Sequence, residues 1–227
     1  MKIKKVLCTL LAVACALPAV SLAACGEKQP TENPGGGDNV GKNVTYTFEA
    51  EYTDIEGKQG AGLSSEPFGF SLIYGNGGQA DKDKGWSNGY YIAHTYKDGF
   101  TLEFKFKAAA AGTGVLSLRL GSELGTLDLT PSSFGVVLND KEITYTGMQV
   151  QGSQSLDTIK FYDKILPGEA EIKEGDNSLK LIVRANTFKN NATTGGPFVD
   201  CVKITTKAGL SWEPKTDNPD RRNEVEV

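Results

Sequence analysis

Apolar and polar residues alternate with a period of two along most of the chain. Phe100, Leu102, Phe104 and Phe106 alternate with Thr101, Glu103, Lys105 and Lys107. Successive side chains on a strand point to opposite faces, so this run predicts a half-buried strand. Residues 44–52 read the same way: Val44, Tyr46, Phe48, Ala50 and Tyr52 on one face, Thr45, Thr47, Glu49 and Glu51 on the other. Further strands are expected at 115–120, 134–138, 158–166 and 179–184. Phe198, Asp200, Val202 and Ile204 form the inward face of a last strand. A turn at Asn139-Asp140 would return the chain through 143–145 as a hairpin. Gly, Asn and Pro separate the runs, and Gly112 and Gly114 cut short the one alanine-rich stretch, 108–111. Many short strands and no helical period predict an all-β fold, a sandwich of two antiparallel sheets.

The pattern fails at both ends. Lys2, Lys4 and Lys5 precede an apolar run over 6–20, and Leu22-Ala23-Ala24-Cys25 closes it. This is a secretory leader, too short and too soon interrupted for a stable membrane span. Its ending resembles a bacterial lipobox, which implies cleavage before Cys25 and a lipid (palmitate among its chains) on that thiol; plain cleavage after Ala24 is the alternative. The leader is 1–24. Residues 25–43, with Gly35-Gly36-Gly37, read as a flexible tether. The domain is 44–207. Residues 208–227, with Pro214 and Pro219, read as a polar tail, with Leu210 and Trp212 able to dock on the domain. An extracytoplasmic protein held to the cell membrane through Cys25 is expected.

Composition narrows the chemistry. Removing Lys2, Lys4 and Lys5 takes the formal charge from −4 to −7. An acidic chain without a basic cluster argues against nucleic acid as a partner. Cys8 and Cys15 leave with the leader and Cys25 would be acylated, so Cys201 alone remains and no disulfide framework can form. His94, the sole histidine, has no histidine or cysteine companion for zinc. Glu49 and Glu51, two apart on one strand face, would stand about 6–7 Å apart at Cα. They are either a solvated polar face or the walls of a calcium site. As a glycosidase pair they fail, because neighbours on one face point the same way while the mechanism needs carboxyls on opposite sides of the sugar. No enzyme is expected.

Several stretches together resemble family 6 and family 35 carbohydrate-binding modules. They are Phe48-Glu49-Ala50-Glu51, Gly112-Thr113-Gly114-Val115-Leu116-Ser117-Leu118-Arg119, Gly175-Asp176-Asn177 and Gly195-Gly196-Pro197-Phe198-Val199-Asp200. The resemblance implies a jelly-roll β-sandwich with a structural calcium ion near the first and last strands. Glu49, Glu51 and Asp200 match its acids. It also implies a sugar cleft in loops at one end, with stacking aromatics. Tyr91 matches the tyrosine of the family's Gly-Tyr-Ile segment, and Trp86 and Tyr90 stand in the same Gly-rich stretch. Where the family places an Asn near the closing Asp, this chain reads Gly196-Pro197-Phe198-Val199; Asn186, Asn190 and Asn191 are the substitutes nearby. The function implied is non-catalytic binding of a polysaccharide or other glycan, beside a surface enzyme or transporter. The competing reading is a structural or protein-interaction lipoprotein that keeps the sandwich and has lost the sugar.

Overall fold

A computed structural model describes residues 36–56, 64–65, 70–71, 73–75, 85–87, 89–95, 98–123, 125–155, 158–184, 188–189, 192–193 and 196–215. The leader, Cys25, most of the tether, Asn186, Asn190, Asn191 and the end of the tail lie outside them. No α-helix occurs among the described residues.

Two antiparallel sheets dominate. In the seven-stranded sheet, Gly112–Gly121 and Phe198–Thr206 pair at the centre, with Phe161–Ile165 and Ala170–Ile172 beyond the first. Tyr90–Ile92 and the opening strand, Val44–Glu49, lie along the second, and Ile73–Gly75 pairs with Tyr90–Ile92. The six-stranded sheet runs Lys141–Glu142, Phe134–Leu138, Gly175–Val183, Thr101–Ala108, Leu210–Ser211, with Asp54–Glu56 also on Thr101–Ala108. Inward residues of both sheets, among them Phe48, Leu118 and Val202 from one and Phe104, Val136 and Leu181 from the other, form one core. This is the expected all-β jelly-roll sandwich. The alternation over 100–107 holds: Phe100, Leu102, Phe104 and Phe106 are buried and Lys105 and Lys107 exposed.

Four expectations change. The opening strand stops at Glu49, and Ala50–Tyr52 is a turn of 3-10 helix. Glu49 and Glu51 are therefore not neighbours on one strand face. The closing strand carries a bulge between Val199 and Cys201. One extra residue shifts every later side chain to the other face. Val199, Val202 and Ile204 therefore enter the core, while Phe198 joins a separate cluster. The hairpin at 139–140 returns through Lys141–Glu142 instead of 143–145. Asn139 and Asp140 both have positive φ, 51° and 63°, as a two-residue turn between twisted strands requires. Finally, the domain does not end at 207. Leu210 pairs with Ala108 and is fully buried, and Trp212 packs its ring 5.3 Å from that of Phe48.

Candidate functional site

The bulge makes the first site. Glu49 pairs with Cys201 across the ladder, and Cys201 with Arg119, so these side chains share the outer face of the seven-stranded sheet. Asp200, the inserted residue, is fully buried, and donor atoms of Glu49, Asp200 and Cys201 all lie within 4.8 Å of one another. Glu51, equally buried, is not one of the three. The structure thus brings Glu49 and Asp200 together, with the Cys201 thiol as the third group and Glu51 outside the cluster. Sequence reasoning missed Ser87. Its N–H donates to both Asp200 oxygens at 3.0 Å, and its hydroxyl donates to Glu49 Oε2 at 2.5 Å.

Burial and then repulsion from Asp200 push Glu49 up to about 8. Burial pushes Asp200 up to about 6, against the Ser87 hydrogen bonds. The cations nearest this pair are engaged elsewhere: Arg119 holds both oxygens of Asp163 at 2.9 and 3.0 Å, and Lys203 holds them at 3.0 Å. Two close buried carboxylates of raised pKa fit a divalent cation with oxygen ligands. The Cys201 sulfur, pushed well above its ordinary pKa chiefly by burial, offers such an ion nothing.

The expected sugar contacts are differently placed. Trp86, Tyr90 and Tyr91 are 6%, 1% and 3% exposed. Tyr90 belongs to the main core. Trp86 stacks on Tyr91 at 5.1 Å, and Tyr91 stacks on Phe198 at 5.8 Å, with Phe161 against both Trp86 and Tyr91. Gly121 makes room for that cluster, since a Cβ there would stand 3.0 Å from Phe161 Cε1. The aromatic faces meant for a sugar are covered by one another. The physical reason is the bulge, which turns Phe198 out of the main core and gives them a partner. The same stretch, Gly85-Trp86-Ser87-Asn88-Gly89, spells the Gly-x-Ser-x-Gly of a hydrolase elbow. That elbow joins a strand to a helix; here the strand Tyr90–Ile92 follows, and the Ser87 hydroxyl is committed to Glu49.

A groove of about 720 Å³ lies on the other sheet, over the outward side chains of Thr101–Ala108 and Gly175–Val183. Half-buried Trp212 lines one side of it, with Asp54, Glu103, Lys105 and Ser178 beside it. Asp54 accepts from Lys105 at 2.8 Å and from Lys215 at 3.1 Å. Glu103 accepts from the Ser178 hydroxyl at 2.6 Å. The sequence alone puts Glu103 and Lys105 on a polar strand face and lets Trp212 dock on the domain; that they meet is not legible in it, because a sheet's outer face becomes a site only once its rows are in register.

No family model matches the chain, and no match is found among the curated proteins. Solved structures similar to it include a family 35 carbohydrate-binding module from Clostridium thermocellum, 16% identical over 71% of this chain and 97% of that one, TM-score 0.44. A family 35 module from an environmental isolate is 18% identical over 74% and 98%, TM-score 0.45. A Podospora anserina β-(1,4)-mannanase carrying a family 35 module is 16% identical over 73% of this chain and 28% of that one, TM-score 0.47.

Proposed function

We propose that the chain is a non-catalytic glycan-binding module on a lipid-anchored tether. The observation that carries this reading is the groove on the six-stranded sheet. A sugar ring presents apolar C–H faces and a rim of hydroxyls, so it needs a flat apolar surface beside hydrogen-bonding groups. Trp212 supplies the first; Asp54, Glu103, Lys105 and Ser178 supply the second. The test is retardation of the chain in gels containing polysaccharides. At least one polymer slows the parent chain, and Trp212→Ala weakens that binding by about tenfold, since 1.4 kcal/mol is a factor of ten and a buried aromatic contact contributes on that order.

The burial of Trp86, Tyr90 and Tyr91 favours the second reading, a structural or protein-interaction lipoprotein that keeps the sandwich. A broad glycan array without a single binder would overturn the first reading and give the second the lead.

Two accompaniments belong to the proposal. Calcium would be held by Glu49 and Asp200, where its charge offsets the repulsion of two buried carboxylates and so secures the opening strand to the closing one. Glu51 and the carbonyl groups near it are further donors to test. The anchor would be Cys25, keeping the domain outside the membrane within reach of a surface enzyme or transporter. Catalysis forms no part of the proposal: Glu49 and Asp200 stand within one donor cluster, held by a common serine, and not on two sides of a cleft.

A further inference from the structure

We infer that the groove takes an internal segment of an uncharged polysaccharide, lying across the strands with Trp212 against one ring and Asp54 and Glu103 accepting from its hydroxyls. This rests on the glycan-binding reading above and names the ligand class.

Charge is the first argument. Five lysines and five carboxylates line the groove, so its formal charge is zero. The carboxylates at its floor are already balanced. Asp54 lies between Lys105 and Lys215, and Glu103 lies 3.4 Å from Lys105 and 3.7 Å from Lys180. Outside these ion pairs the lining keeps two lysines, Lys107 and Lys173, against three carboxylates, Asp140, Asp176 and Glu213, so a uronic-acid polymer would meet a net negative remainder. A neutral sugar hydroxyl donates to a carboxylate and accepts from an ammonium group without disturbing the balance.

The acceptors also remain acceptors. The Lys105 hydrogen bond holds Asp54 below its ordinary pKa. Burial works to raise Glu103, but Ser178, Lys105 and Lys180 outweigh it and leave it lowered. Both are anionic wherever the protein is folded near neutrality, and an ionised carboxylate is among the stronger acceptors a hydroxyl can meet.

Length is the second argument. The groove reaches from Asn139 at the end of Phe134–Leu138, over Gly175–Val183 and Thr101–Ala108, to Trp212 and Lys215. That is three interstrand spacings, about 14 Å. A site for one terminal sugar would be a short pocket; a run of this length across the strands suits several consecutive rings.

The experiment is affinity electrophoresis of the full chain against laminarin, galactomannan, xyloglucan and arabinogalactan as neutral probes, and polygalacturonate and alginate as acidic ones, at low and high salt. At least one neutral polymer is expected to retard the chain, with affinity changing by less than about twofold between the two salt conditions, because no counterions are released on binding a neutral chain. Trp212→Ala, Asp54→Asn and Glu103→Gln are each expected to weaken that binding severalfold or more, while Ile165→Ser, on the other sheet, leaves it unchanged. Should Trp212→Ala fail to fold, the near-isosteric Asp54→Asn carries the test. Retardation only by acidic polymers, abolished at high salt, overturns this inference and leaves glycan binding standing. Neutral binding that none of the groove variants alters also overturns it. Retardation by none of the six overturns the inference together with the reading on which it rests.

Discussion

Glu49 resists ionisation because burial excludes water from it and Asp200 stands close, and Asp200 because burial excludes water. The consequence for stability has a definite sign. A carboxyl whose pKa is raised on folding binds its proton more tightly in the folded state, so stability falls as pH rises from the unfolded to the folded value. In metal-free protein the melting temperature should fall between pH 4.5 and about 8, the window set by Glu49, with Asp200 adding to the fall up to about 6. Thermal unfolding in a chelator across that range checks it; a flat profile would mean the pair is not strained. Asp200→Asn removes the repulsion on Glu49 and should lower the top of that window, while burial, the larger cause, keeps part of the slope. At this scale the sequence spoke clearly about which residues are chemically awkward. Asp200 in an apolar run announced itself. Ser87 did not, because a serine's two donors are read only from the geometry that aims them.

The elements were legible where one face is buried and the other wet. The runs 100–107 and 179–184 give their alternation directly, since the core demands every second residue. The bulge was not legible. It depends on how Val199 and Cys201 align with Leu120 and Arg119 of the neighbouring strand, and a single strand carries no record of its partner's register. For the same reason the sequence alone puts Phe198 on one face with Val202 and Ile204, and leaves the loop aromatics without the partner that buries them. The two-residue edge strand Leu210–Ser211 was too short to show a period. Its burial nonetheless has weight. Leu210→Ala should cost about 2–5 kcal/mol, the usual range for emptying a closed leucine site. A chain ended after Lys207 should lose at least as much, read as a lower denaturant midpoint.

For the molecule as a whole, ligands that bind only the folded state raise its stability. Calcium at a concentration about 100-fold above its dissociation constant should add about 2.7 kcal/mol, visible as a higher melting temperature, and Asp200→Ala should abolish that response. If calcium leaves the melting temperature of a verified metal-free sample unchanged, the ion does not belong to this fold. Anchoring is tested apart from both: Cys25→Ala should move the protein from the membrane fraction to the soluble one and change its mass. The sandwich itself was the most legible feature, because two-sided alternation repeated along a chain leaves few other ways to bury it. The groove was the least legible, being made by rows that cross four strands.

The way the chain enters and leaves the sandwich has a mechanical consequence. Val44 pairs with Thr206 and Glu49 with Cys201, and Gly41 N–H donates to the Lys207 carbonyl at 2.9 Å just beyond the last rung. Residues 41 and 207 therefore leave the ladder side by side. Force drawing these two points apart would fall on one hydrogen bond at a time, opening the ladder as a zip and not shearing all its rungs together. The Gly41–Lys207 bond would part first, and the acid pair at the far end, joining Glu49 to Asp200 through Ser87, would be the last fastening to give.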